Sequence, residues 1–144
     1  MIALVQAHPR HVATIAKRMR AADVEECAWF GHTPREALRL GLASSQWAVT
    51  ALVDGRPEAM LGVVAASVIE SMGRPWMLGT DVVARHGCTL VKTGRDLVAA
   101  MLRGFRRLEN EVGADNRAAV LWLERMGFTV EAGWPMRRFW MERS

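Results

Sequence analysis

At 144 residues the chain is long enough for one buried core, so 1–144 reads as a single domain. Its longest apolar runs, such as "AMLGVVAASVI", are too short and Gly-rich to cross a bilayer, and "MIALVQAHPR" lacks a signal peptide's basic leader. Cys27 and Cys88 lie far apart without C-x-x-C spacing, which excludes a disulfide framework and a zinc motif and makes a reducing cytoplasm the expectation. The net charge of +4 favours an anionic partner, and it is uneven: Arg85 to Arg107 holds six Lys or Arg against one Asp.

In chain order, "IALVQA" predicts a first strand, and Pro9 opens a helix with Val12, Ile15, Ala16 and Met19 on its apolar face. "AADVEECAWFGH" reads as a connection. In "TPREALRLGL", Thr33 is the N-cap, Pro34 the first helical residue and Glu36 the return partner of a capping box. "QWAVTALVDGRPEAMLGVVAASVIE" predicts a hairpin about Asp54-Gly55, and "RPWMLGTDVV" the next strand. "KTGRDLVAAMLRGFRRLENEV" predicts a long helix carrying Leu97, Val98, Met101, Leu102, Phe105 and Leu108 on one face; the order leaves room for a short strand after it. "DNRAAVLWLERMG" is the last helix, between Asn116 and the C-cap candidate Gly127, and "FTVEA" and "MRRFWMER" close the chain as a strand pair. This order predicts an α+β fold with a mixed, mostly antiparallel sheet flanked by helices.

The order, ending in Asn-helix-Gly-Phe-strand, resembles the GNAT superfamily of acyl-CoA-dependent N-acyltransferases. Asn116, Ala119, Gly127 and Phe128 carry the likeness, together with the "VDGRPEAMLGVV" hairpin. "PWMLGT", the basic helix after it and "DNRAAVLWLERMGF" also resemble small GNAT-like proteins of phages and prophages, related to podovirus internal virion proteins.

The superfamily resemblance implies acetyl-CoA as co-substrate and a small amine or protein amino group as acceptor. The cofactor arm would run beside the fourth strand, at Thr80, Val82 and Val83. The pyrophosphate turn would fall in "CTLVKTGRDL", where Lys92, Thr93, Gly94 and Arg95 would hold the phosphates, although Leu90 and Lys92 stand where the family has Gly. Asn116 would cap its helix and touch the arm. The family's Tyr acid corresponds to Leu123, and the chain contains no Tyr; Cys88 is a conceivable substitute. Asp81 and Glu70 are the candidate bases, and Glu25 and Glu26 candidate acceptor-site acids. Each of these has a plainer reading, as a solvated strand-end or surface charge.

The four His share no ligand spacing, so no metal is expected. The phage-like resemblance implies an alternative: a catalytically silent protein of a virion or its assembly, with virion proteins as partners. A homodimer is implied by resemblance only. Nucleic-acid binding by the basic helix ranks last, because its cations interleave with an apolar face and no reader motif is present.

Overall fold

The computed structural model describes Met1–Ser144. Its elements, in chain order, are β1 (Ile2–Gln6), a 3-10 turn (Pro9–His11), α1 (Val12–Lys17), α2 (Ala21–Trp29), α3 (Pro34–Ser44), β2 (Ser45–Val53), β3 (Arg56–Ser67), β4 (Met72–Gly79), α4 (Asp81–Ala84), α5 (Gly87–Gly104), β5 (Arg107–Gly113), α6 (Arg117–Arg125), β6 (Thr129–Val130) and β7 (Met136–Glu142). The strands form one seven-stranded sheet in the order β1-β2-β3-β4-β5-β7-β6. β4 and β5 run parallel, whereas β1-β2, β2-β3, β5-β7 and β6-β7 are antiparallel.

The residues group into two compact units, Met1–Val64 with Trp76–Gly87, and Ala65–Pro75 with Cys88–Ser144. In the first, the β2–β3 hairpin turns at Asp54 and Gly55, both at positive φ, as the Asp-Gly pair demands. Thr33 and Glu36 form the expected capping box at the start of α3. The core of this unit is Val12, Ile15, Met19, Cys27, Leu38 and Met60, with Trp76 and Leu78 against it. The sequence reading missed α2. Its buried face holds Asp23 and Cys27, one turn apart, and a carboxylate in an apolar position hides the helical period.

In the second unit the long helix differs from its prediction at both ends. It begins at Gly87 and stops at Gly104, and "RLENEV" is strand β5. Arg107–Gly113 pairs residue by residue with β7, and Leu108 and Val112 are its buried residues. Val98, Met101, Phe105, Leu108, Val112, Val120, Leu123, Met126, Phe128 and Phe139 are the buried apolar residues here, with Phe128 and Phe139 edge to face at 5.1 Å. No helix is long and apolar enough to cross a membrane.

Candidate functional site

Four consequences of the chain's local folding decide where chemistry is available. The first is the end of β4. The strand stops at Gly79, and "DVVA" closes into the single turn α4 instead of extending to Val83. Thr80 is its buried N-cap residue, at φ −96° and ψ 170°, and its N–H donates to the Glu58 carbonyl at 2.8 Å. The expectation that the fourth strand runs on through Val82 and Val83 is therefore corrected. Val83 is buried, and the carbonyls of Val82 and Val83 accept from Arg85 and His86 N–H in a local turn. Asp81 is exposed as the first residue of α4.

The second is the length of α5. Lys92, Thr93, Gly94 and Arg95 were expected in a phosphate-binding turn, but they lie inside a continuous helix whose amides are bonded to the preceding turn. The free amides are those at the start of the first turn, Gly87 to Thr89. Gly94 is buried because α6 packs there: a Cβ on it would lie 2.5 Å from Met126 Sδ and 3.1 Å from the Trp122 ring. Arg95 is also engaged, donating to the Arg125 carbonyl at 2.9 Å, while Lys92 is exposed. Gly94 is thus a close-packing glycine, and the family-like turn is absent from that stretch.

The third is a buried ionic cluster that the sequence reading did not single out. Glu58 on β3 has no exposed side-chain surface, and its carboxylate takes both arms of the Arg18 guanidinium, the Nη2–Oε2 bond being 2.9 Å. Arg56 Nε is 3.3 Å from Glu58 Oε1. The hydrogen-bonded Arg18 outweighs burial and holds the Glu58 carboxyl below the usual carboxylate range, with Arg56 and the Thr80 hydroxyl contributing less. Asp23 on α2 is buried too, with Arg20 Nη1 at 3.2 Å and the Gly79 N–H donating to Oδ2 at 3.0 Å. The sequence carried one signal for each: an acid in an otherwise apolar strand, "PEAMLGVV", and an acid one turn before a buried Cys.

The fourth is the edge of β4. β4 pairs with β5 at Met72↔Arg107 and Gly73↔Leu108 only, whereas β5 continues with β7 to Gly113. Peptide groups alternate between the two edges of a strand, so Gly73, Pro75, Met77 and Gly79 share the edge away from β3. Pro75 has no N–H, and its carbonyl accepts from Asn110 Nδ2 at 2.8 Å.

The remaining candidates fall as follows. Glu70, expected at the end of the third strand, is exposed in the turn between β3 and β4, beside the fully exposed Ile69, so all of β4 lies between it and Asp81 in the chain. Glu25 and Glu26 are on α2, not in a loop. Asn116 is buried and caps α6, its Oδ1 accepting from Ala119 N–H at 3.4 Å. Leu123, at the position of the family's Tyr, is buried in the core, and Cys88 is exposed on the first turn of α5.

The sequence matches no protein-family model and no curated protein. Solved structures resemble it along its whole length. The GNAT domain of S. lividans PAT is 15% identical, with a TM-score of 0.72 over 97% of this chain and 89% of that one. A GNAT-family acetyltransferase from Streptococcus pneumoniae is 16% identical, with a TM-score of 0.66 over 99% and 100%. The aminoglycoside acetyltransferase AAC(6')-Ib, solved with ribostamycin and coenzyme A, is 12% identical, with a TM-score of 0.70 over 99% and 93%. Together with the β4–β5 parallel pairing inside a mostly antiparallel sheet, these likenesses give the chain the GNAT N-acyltransferase fold.

Proposed function

We propose that the chain is an acetyl-CoA-dependent N-acetyltransferase that acts on a small amine or a protein amino group. The observation that carries this reading is the early end of β4–β5 pairing, which leaves the Met77 peptide on an unpaired strand edge. An extended acyl-pantetheine arm adds to such an edge as a peptide strand would. Separately, the first turn of α5 offers a pyrophosphate the free amides of Gly87 to Thr89, and a Cβ on Gly87 would meet only open space. Lys92 is exposed one turn further along and adds positive charge. Asn116 acts as the cap of α6, Thr80 is buried where β4 ends, and Val82 and Val83 serve packing.

In the reaction the amine nitrogen attacks the thioester carbon, the N–C bond forms and the C–S bond breaks. Asp81 is the base we assign to the amine proton, since it is exposed directly after β4. The thiolate takes its proton from water, because Leu123 supplies none.

Calorimetric titration of acetyl-CoA, followed by thiol-release assays over a panel of amines, tests the reading. We expect saturable binding that Gly87→Glu and Lys92→Glu weaken and Gly94→Ala leaves intact. No binding at millimolar acetyl-CoA would overturn it.

A second reading is favoured by the buried Leu123 and by the helical lock on residues 92–95. In it the fold is kept without catalysis and the protein serves a phage particle or its assembly, as a homodimer or against virion proteins. Incorporation into particles without any acetyl-CoA binding would support it over the first.

A further inference from the structure

The linker between α1 and α2 touches the end of β4 through a single isolated bridge. Met19 and Thr80 form an antiparallel bridge, and Arg20 N–H donates to the Gly79 carbonyl at 2.9 Å. The Gly79 N–H in turn donates to Asp23 Oδ2, so both hydrogen-bonding groups of Gly79 on the outer edge are taken by the chain itself. The linker is tied down on its other side by Arg18, whose guanidinium grips the buried Glu58 carboxylate.

Along the outer edge of β4, Gly73 is paired with Leu108 and the Pro75 carbonyl is bonded to Asn110. With Gly79 occupied as well, Met77 is the one residue left to receive an extended ligand. An arm with two peptide-like groups matches edge residues two apart, here Met77 and Gly79. A carbonyl oxygen of the arm therefore needs the N–H that the Asp23 carboxylate now accepts.

We propose that Asp23, Arg20 and the Met19–Arg20 linker form a latch that closes the end of β4, and that acetyl-CoA binds by displacing the Asp23 carboxylate from Gly79. This rests on the acyl-CoA reading above. Asp23 is in this sense an internal stand-in for that carbonyl oxygen of the arm, and the strength of the latch sets the apparent affinity for acetyl-CoA.

The test compares wild type, Asp23→Ala, Asp23→Asn and Arg20→Ala by acetyl-CoA titration and by amide hydrogen exchange at Gly79. The latch predicts a protected Gly79 amide in the free wild type, faster exchange in Asp23→Ala, and tighter acetyl-CoA binding by at least about fivefold. Asn keeps an acceptor oxygen, so Asp23→Asn should fall between; Arg20→Ala should move the same way by less. If Asp23→Ala does not fold, the other two variants carry the comparison. Wild-type binding unchanged in every variant would refute the latch and leave the acyl-CoA reading standing. A fast-exchanging Gly79 amide in the wild type would refute the latch alone. Absence of binding by all four proteins would remove the reading and the latch with it.

Discussion

Replacing Arg18 by Met keeps most of the stem's packing and removes the group that compensates the most deeply buried charge in the chain. Glu58 has no exposed side-chain surface, while Arg18 is 33% exposed. Breaking a buried ion pair from one side costs about 3–5 kcal/mol, since the remaining charge stays buried. The exposure of Arg18 and the presence of Arg56 at 3.3 Å both lower the figure here, to roughly 2–4 kcal/mol. At about 2–4 °C per kcal/mol for a chain of this size, the melting temperature should fall by about 10 °C. Differential scanning calorimetry at pH 7 measures this directly. The double variant Arg18→Met, Glu58→Met removes both charges and should recover most of the loss.

The pH dependence gives a second readout of the same pair. The folded Glu58 carboxyl is held below its ordinary value, so the pair stabilises above that value and the contribution is lost as pH falls through the folded one. In Arg18→Met this acid limb should flatten. A loss below about 1 kcal/mol, or a double variant no more stable than the single, would refute the view that Arg18 compensates a buried charge.

Gly94→Ala should lower stability by about 1–3 kcal/mol through its clash with Met126 and Trp122, outweighing the gain in helix propensity, and should leave ligand affinity unchanged; calorimetry and titration separate the two effects. His11 is buried; its Nδ1 accepts from His8 N–H at 3.2 Å and lies 2.8 Å from Thr50 Oγ1. Desolvation, aided by Arg10 and His8, pushes its pKa below 6.5, so its contribution is full above 6.5 and lost as pH falls through the folded value. Denaturant melts between pH 7.5 and 5 should therefore lose stability in wild type and much less in His11→Gln. Asn116→Ala should cost about 0.5–2 kcal/mol by equilibrium unfolding, the worth of an N-cap, whether or not the protein binds acetyl-CoA.

Much of the fold was legible because periodicity and turn chemistry agreed. Thr33-Pro34 with Glu36, Asp54-Gly55, and Asn116 with Gly127 each mark an element boundary that the structure also shows. The failures share one physical origin, which is that the deciding residues act through tertiary partners. Asp23 hides α2 because a buried carboxylate imitates a surface one until Gly79 and Arg20 are seen beside it. The end of β4 is set where Thr80 makes its last bond to β3, its N–H donating to the Glu58 carbonyl, and "DVVA" then coils. Gly94 is a glycine in a family-like position, yet what demands it is the approach of Trp122 and Met126. A spacing argument cannot separate a glycine needed by a phosphate from one needed by a neighbouring helix.

The uninterrupted α5 also bears on any attempt to engineer this chain. Restoring family glycines at Leu90 and Lys92 would look like a repair when judged on sequence alone. On this backbone the substitution at Lys92 would put a second glycine two residues from Gly94 in a helix interior, at a cost of about 1 kcal/mol, and would release no amide toward a phosphate. Building an anion cradle here means unwinding the first turn and a half after Gly87 and supplying a new cap near residue 92. The helix would have to be shortened before the motif could be written into it.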